Sequence, residues 1–495
     1  MSDSKKTYTP EEIEKNREAL LKKAEGFNGK TVGELDTTGL LNNPKNKGDI
    51  GQVIQKALGK DLDSSREMDF PEAKLELKVT GVLSTSKSGG AYRAKERLVL
   101  TMVDYQEDYK FPFESSHIIE KCDDLLITVY RYVRPEDGSK PDYGKFVVLS
   151  SFHYALSEKD KAIIKKDYDE IISKIKNGEA DKISEGDTNY LSACTKASDS
   201  SVRRSQPFSD VPAKPRAFAF KAAYLTQIIH EKLSDEVYQS IIDEVDFLKA
   251  DSLEDYVLKK LKPWFGKTEE ELGYEFGVMT NAKNRYAMYA NRIFKVSDLQ
   301  KSEEFLKADI IVKTIRIQKN GAIKEKMSFP QFDFFEIAST PWEESPVRSY
   351  FAEKKFLFLV YRETDKGMVF DNAVFYNFKD AIIDEFIGYT YEKTQETLKK
   401  GEIVASVETK IIKGEPKLVH TTNFVGIAEN PICHVRPHGA NFKDQKPLPV
   451  KDKVTGYTSY EKQCFWIDTK FIAAILEGNE GQYIKDARKR LKKAK

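Results

Sequence analysis

One pattern occurs twice along this chain, and the repetition limits the architectures open to it more than composition does. Gly29-Lys30-Thr31 followed by Glu34-Leu35 returns 237 positions later as Gly266-Lys267-Thr268 followed by Glu271-Leu272. Asp69-Phe70 and Lys78 return as Glu304-Phe305 and Lys313, both 235 positions later. Lys95-Glu96-Arg97 returns as Lys324-Glu325-Lys326 after 229 positions, and the apolar run ending Val129-Tyr130 returns as the one ending Val360-Tyr361 after 231. The matches are collinear and their offsets drift slowly, as small insertions and deletions between two copies of one fold would make them. The period is a whole domain, far longer than a solenoid repeat of about 20–50 residues. At 495 residues the chain also exceeds what one ordinary core serves. The expected organisation is a first domain over 1–232, a junction over 233–251 and a second domain over 252–495.

Within the first copy, Thr9 as N-cap, Pro10 at the first helical position and Glu12 three residues after the cap predict a helix to about Ala24. Ile50, Val53, Ile54, Ala57 and Leu58 recur with helical spacing, and Gly59 can end that helix. Strand-like runs follow from Asp69 to Val82, Leu98 to Val103 and Leu125 to Tyr130, then a helical segment from Asp160 to Lys176. This order predicts an α/β (α+β) core. Hydrophobic residues make up 40% and charged residues 32%, a globular composition that can fill sizeable cores. The opening residues contain no apolar export segment, and no stretch approaches the ~20 apolar residues of a membrane span. A cytoplasmic location without a membrane partner is therefore expected. Cys122, Cys194, Cys433 and Cys464 lie far apart with no C-x-x-C pair, which predicts reduced thiols rather than disulfides or a structural zinc site.

Asp69, Glu76 and Lys78 form a D-x6-E-x-K array. Leu75, Leu77 and Val79 alternate with Glu76 and Lys78, so a strand would set the apolar side chains on one face and the charged pair on the other. Two carboxylates can hold Mg²⁺ through one or two direct bonds while the ion keeps waters and takes a phosphate oxygen. A lysine beside them can orient or deprotonate the attacking water. That is the chemistry of phosphodiester hydrolysis, although the same spacing also arises by chance on solvated strands. In the second copy Ile311 and Val312 stand where Glu76 and Leu77 stand in the first, so it cannot build the same metal site. One cutting domain and one binding or regulatory domain are expected.

A net charge of +1 says little about partners, and the distribution of charge says more. Basic clusters at Arg93-Ala94-Lys95-Glu96-Arg97, Arg203-Arg204 and Lys214-Pro215-Arg216 offer Arg93, Lys95 and Arg203 as DNA contacts, though each cluster also fits an ordinary solvated face. His434 and His438 are four residues apart, but Pro437 intervenes and no Glu follows His434, which argues against zinc. His117 has no identifiable Ser or Cys partner and reads as structural. Gly29-Lys30-Thr31 lacks the upstream glycine of a phosphate-binding loop, so ATP is not expected.

Gly29-Lys30-Thr31-Val32-Gly33-Glu34-Leu35, Lys47-Gly48-Asp49-Ile50-Gly51, Asp69-Phe70 and Leu75-Glu76-Leu77-Lys78 resemble the MutH family of GATC-specific DNA endonucleases. Tyr190-Leu191, Thr195-Lys196-Ala197 and Pro215-Arg216-Ala217-Phe218 continue the likeness in order over the whole of residues 1 to about 232. The second half is similar too, and carries Cys433-His434-Val435-Arg436-Pro437-His438 and Phe465-Trp466-Ile467. The full chain thus resembles the type II restriction endonucleases built from tandem MutH domains that cut at GATC.

The resemblance implies a PD-(D/E)XK nuclease fold in each half, with a mixed central β-sheet flanked by helices, and Mg²⁺-dependent hydrolysis of double-stranded DNA by the first. It implies that Asp69 and Glu76 bind the metal and that Lys78 is the catalytic lysine. Gln55 stands where the family commonly has a glutamate, and a glutamine can neither act as a base nor lend charge to a metal. Lys196 matches a lysine of the recognition loop and would reach guanine O6 or N7, or else a phosphate. Lys47, Tyr190 and Thr195 accompany it as DNA-binding positions, Lys214, Arg216 and Lys221 are expected on phosphates, and His434, Arg436 and His438 are expected to face DNA in the second copy. A palindromic site offers two scissile bonds to one intact centre per chain. Dimerisation on DNA, a second GATC duplex bound by the C-terminal copy as allosteric effector, and a companion methyltransferase are therefore expected. Two other readings stay open: a strand-nicking mismatch-repair enzyme, which would resemble only the first half, and a DNA-binding regulatory protein without catalysis, for which Gln55 speaks.

Overall fold

The first helix, Pro10–Glu25, starts where its capping residues put it. Thr9 Oγ1 accepts from Glu12 N, and the Glu12 carboxylate accepts from Thr9 N at 2.8 Å. The computed structural model describes residues 7–42, 49–62, 68–85, 91–133, 135, 141–196, 201–234, 236–324, 327–412 and 415–494. Lys47 and Ala197 lie outside the described residues, as do Glu325 and Lys326 of the repeat. The chain divides into two units, residues 1–257 with 294–310, and residues 258–293 with 311–495. Residues 233–251 therefore go with the first unit, where the short helix Glu244–Leu248 buries Phe247.

The first unit carries strands β1 (Glu76–Ser84), β2 (Tyr92–Ala94), β3 (Leu98–Met102), β4 (Asp124–Arg131), β5 (Val147–Ala155), β6 (Leu191–Thr195), β7 (Arg204–Gln206), β8 (Ser209–Ala213) and β9 (Arg216–Phe220). Its mixed sheet has the order β2-β1-β4-β5, with β1 and β4 parallel and the outer pairings antiparallel. A parallel pair needs a long crossover, and here the crossover contains β3 and the helix His117–Glu120. A second, antiparallel sheet has the order β3-β9-β6. The helices Pro10–Glu25 and Asp49–Ala57 cover one face of the mixed sheet, where Ala24, Val53 and Ile54 pack with Leu75, Leu77, Leu126 and Phe146. That burial turns Leu75 and Leu77 inward and leaves Glu76 and Lys78 on the opposite face of β1.

The second unit contains β10 (Ile310–Ile317, beginning at the boundary), β11 (Met327–Gln331), β12 (Lys355–Thr364), β13 (Gly367–Tyr376), β14 (Val404–Ile412), β15 (Glu415–Thr422), β16 (Cys433–Pro437), β17 (Gln445–Pro447), β18 (Ser459–Glu461) and β19 (Gln463–Ile467). Its sheet orders β10-β12-β13 and β11-β19-β16 reproduce β1-β4-β5 and β3-β9-β6 strand for strand. Phe329, Phe356, Phe378, Phe465 and Phe471 anchor its core. The β14-β15 ribbon is an insertion between the helix Gly388–Lys400 and β16.

The repeat extends to backbone detail. Gly29 and Gly266 adopt left-handed φ values of 82° and 85°, and their amides donate to Val148 O and Phe370 O, each at 2.8 Å. Thr31 and Thr268 each head a capping box, with Glu34 and Glu271. Lys74 and Asp309 share left-handed backbone, φ 48° and 55°, at the same offset as Lys78 and Lys313. All four cysteines are free and buried. Among the described residues no helix is long and apolar enough to cross a membrane.

Candidate active site

The strand expected from Asp69 begins later: β1 starts at Glu76, and the residues before it form a turn. Left-handed Lys74 closes that turn and lays Phe70 against Leu75 as an antiparallel bridge, with Phe70 N donating to Leu75 O at 2.9 Å. Phe70, Ala73 and Leu75 are buried and fasten the turn to the core. The six residues between Asp69 and Glu76 therefore fold Asp69 back beside the strand. Asp69 N donates to Glu76 Oε2 at 3.1 Å, and Leu77 N donates to Asp69 Oδ2 at 3.0 Å.

Glu76 is 4% exposed. A carboxylate buried that far needs compensating charge or hydrogen bonds, and two ammonium groups supply it. Lys78 Nζ donates to Oε1 at 3.0 Å and Lys121 Nζ donates to Oε2 at 2.9 Å. Lys78 Nζ also lies 3.5 Å from Leu100 O on β3. Sequence reasoning missed Lys121, which is 45 residues from Glu76 along the chain. The parallel pairing that sets Glu76 beside Leu125 brings the start of β4, and Lys121 just ahead of it, to this end of β1. Only the strand order carries that signal.

Asp69 is more open, and burial first, then the charge of Glu76, push its carboxyl above the usual range against the amide bond from Leu77. Lys60 Nζ sits 3.6 Å from Asp69 Oδ1. An Asp69 carboxylate disfavoured by burial and by the charge of its neighbour fits a hard divalent cation, which would offset both. Among the described residues no group of three or more His, Cys, Asp and Glu could hold a metal. A cation here would take its remaining bonds from water, backbone or substrate oxygens, the habit of Mg²⁺. Gln55 is half-buried on the helix Asp49–Ala57, and its amide donates to Asp61 O at 3.0 Å, so the structure occupies it in closing the loop after the helix.

The candidate DNA contacts divide into surface and core. Lys196 is exposed at the end of β6, where its amide donates to Pro215 O at 2.9 Å, and Thr195 N donates to Glu185 Oε1 at 3.3 Å. Arg93 and Arg203 are exposed, Lys214 is half-buried, and the Lys95 ammonium sits 4.9 Å from the ring centre of Tyr132. Three expectations are corrected by burial. Tyr190 is fully buried and stacks on Tyr224 with ring centres 4.7 Å apart. Arg216, 1% exposed, donates to Ala193 O at 2.6 Å and to Ile183 O. Lys221, also 1% exposed, donates to Thr188 O at 2.6 Å. Donors held that deep by carbonyls cannot reach a phosphate.

In the second unit His434 is buried as well, which removes it from any DNA-facing surface. Arg436 and His438 are half-buried, and the His438 ring meets Trp466 edge-on at 5.6 Å. Because β16 is a strand, residues four apart lie about 13 Å from each other, so His434 and His438 do not form a metal pair.

Residues 58–167, which hold the turn, β1 and Lys121, match the family model of the DNA mismatch repair enzyme MutH. The chain is 30% identical over 492 residues to the type II restriction enzyme Sau3AI of Staphylococcus aureus, covering 93% of this chain and 98% of that protein. It is 26% identical over 201 residues to the DNA mismatch repair protein MutH of Escherichia coli O1:K1 and of Escherichia coli O45:K1, covering 40% of this chain and 82% of each of those proteins.

Proposed function

Because the chain belongs to the family of the type II restriction enzyme Sau3AI, and is thus a site-specific deoxyribonuclease with a MutH nuclease domain, we propose that its first unit cuts double-stranded DNA at GATC using Mg²⁺ held by Asp69 and Glu76. The observation that carries this reading is the buried Glu76 carboxylate, bracketed by Asp69 N, Lys78 Nζ and Lys121 Nζ within 3.1 Å. Mg²⁺ bound there supplies Lewis-acid stabilisation of the phosphoryl oxygens and lowers the pKa of a coordinated water. Asp69 and Glu76 present hard oxygen donors to it. Lys78, on one oxygen of Glu76, orients or deprotonates the attacking water. Lys121, on the other, brings positive charge to the place where phosphoryl charge develops.

Lys196 at the end of β6 reads guanine O6 or N7 in the major groove, a role supported by its exposure and by the likeness of Thr195-Lys196 to the MutH recognition segment. The second unit binds a further GATC duplex as an allosteric effector. Its repeated strand order and the replacement of Glu76 by Ile311 support a copy that keeps the DNA-binding fold without the metal carboxylate. Two scissile bonds and one such centre per chain call for pairing of chains on DNA, and a nuclease of this kind needs a companion methyltransferase to protect its host. The similarity to Sau3AI reaches through the half that a nicking repair enzyme of MutH size would leave unexplained.

Plasmid cleavage by Glu76→Ala tests the centre. Loss of a metal ligand should remove several kcal/mol of transition-state stabilisation, about a thousandfold in rate or more. Near wild-type cleavage would mean that the cutting centre lies elsewhere in the chain. For the effector role, a plasmid with several GATC sites should be cut faster per site than a single-site plasmid, and equal rates would refute it.

A further inference from the structure

The second unit keeps the strand of the nuclease centre and reverses its charge. Lys313 on β10 occupies the position of Lys78, 235 residues on, and the left-handed residue ahead of each strand recurs at the same offset. Ile311 takes the place of Glu76. Glu304, at the position of Asp69, has its carboxylate occupied within the first unit: Ile241 N donates to Oε2 at 2.9 Å, while Ser240 Oγ and Lys159 Nζ donate to Oε1. Lys313 is half-buried, and among the described residues its ammonium makes no hydrogen bond or ion pair. Burial alone lowers the pKa of its ammonium, with no neighbouring carboxylate opposing it.

A desolvated ammonium without a counter-ion is a cost to the fold. An anion arriving from outside the chain would offset it. We propose that Lys313 is an anion-binding residue that seats a backbone phosphate of the DNA bound by the second unit, at the position where the first unit seats the phosphate it cuts. This rests on the reading of the second unit as a DNA-binding copy. In the first unit the corresponding lysine has the Glu76 carboxylate beside it, a donor that can ligate a cation, whereas in the second the lysine stands alone beside Ile311 and offers only positive charge, which suits an anion. A lysine binds phosphate as a point charge, and an apolar neighbour strengthens that attraction by lowering the local dielectric. Without a carboxylate to hold a metal, the phosphodiester is held and not hydrolysed.

The test is a titration of the full-length chain with a GATC duplex in metal-free buffer, where nothing is cut, over a range of salt concentrations. The wild-type protein binds two duplexes per chain. In Lys313→Met one of the two binding events weakens and its dependence of log affinity on log salt flattens by about one, while Lys313→Arg retains the wild-type slope. Without DNA, Lys313→Met melts no lower than wild type, because an uncompensated charge has been removed. Two duplexes bound by Lys313→Met with wild-type affinity and slope would overturn the assignment of Lys313 and leave the DNA-binding reading intact. One duplex bound by the wild-type chain would overturn that reading and the assignment with it. A lowered melting temperature in Lys313→Met would mark the ammonium as a structural group and also overturn the assignment.

Discussion

Replacing Lys121 by methionine leaves Glu76 with one ammonium group instead of two. The apolar stem and most of the volume remain, so the change removes a charge and a 2.9 Å hydrogen bond with little loss of packing. Only 11% of the Lys121 side chain and 5% of the Glu76 side chain are exposed, so water screens the pair little. Stripping a buried ion of its partner costs about 3–5 kcal/mol. Glu76 keeps Lys78 on Oε1 and the Asp69 amide on Oε2, which brings the cost down to about 1–3 kcal/mol, the range for a buried group that loses one of several partners. At about 2–4 °C per kcal/mol for a domain of this size, the metal-free protein should melt several degrees lower. Mg²⁺ should return most of that loss, because a cation on Asp69 and Glu76 supplies the charge that Lys121 no longer does. The half-saturating Mg²⁺ concentration should fall, since an ammonium that repels the ion is gone, even as cleavage slows. Thermal unfolding of both proteins with a chelator and across a Mg²⁺ series reads all of this. A melting difference that does not narrow with Mg²⁺ would refute metal binding at Glu76, and no difference in either condition would refute the energetic role of the Lys121 pair.

The Asp69 carboxyl titrates above its usual range, so the folded chain holds that proton more tightly than the unfolded chain, and the stability this confers is lost as pH rises through the raised value. Asp69→Asn should therefore raise the melting temperature of the metal-free protein at neutral pH while abolishing cleavage, and wild-type cleavage should need more Mg²⁺ as pH falls into the weakly acid range; a pH-independent Mg²⁺ requirement would contradict this. Gln55→Glu removes the donor to Asp61 O and should cost about 0.5–1.5 kcal/mol of stability with little effect on cleavage. A rise of about tenfold, equivalent to about 1.4 kcal/mol of barrier, would show instead that position 55 limits turnover. Lys221→Met should lower stability by about 1–3 kcal/mol by stranding Thr188 O, without altering the salt dependence of DNA binding. Lys196→Ala should leave melting nearly unchanged and reduce the preference for GATC by about 1–3 kcal/mol, whereas uniform weakening on all sequences would place Lys196 on a phosphate.

Features encoded by neighbours in the chain were legible in the sequence. The cap at Thr9, the helix around Val53 and Ile54, and the charged face of β1 depend on spacings of two to four residues, and they formed as expected. The twofold repeat was legible because it needs only self-comparison. What stayed hidden depends on partners distant in sequence. Lys121 meets Glu76 only through the β1-β4 pairing. Arg216 and Lys221 flank the run Ala217-Phe218-Ala219-Phe220, which is buried on both faces of β9, and a cation entering such a strand is drawn into the protein and satisfied by carbonyls. The attachment of residues 294–310 to the first unit was equally hidden. It is held by Lys307, whose ammonium meets Asp160 at 3.0 Å, Glu303 at 2.9 Å and Glu231 at 3.2 Å, and no local pattern announces a lysine that needs three carboxylates from separate segments.

The two copies show which parts of such a centre the fold itself requires. The left-handed residue before the strand, the left-handed glycine and the capping box recur in both halves, and the glycine and capping-box segment is tied to the sheet by backbone bonds such as those joining Gly29 to Val148 and Gly266 to Phe370. The carboxylates have no such backing. Glu76 sits buried only because two lysines and an amide hold it, and Asp69 beside it is pushed toward protonation. An isoleucine at the corresponding place, Ile311, favours the strand and carries no charge to desolvate. The proposed nuclease centre is therefore a locally unfavourable arrangement built on a fold that does not need it, the usual relation between activity and stability. Losing Glu76 in the second copy relieves that copy of one buried carboxylate and leaves Lys313 as the residue still awaiting a counter-charge.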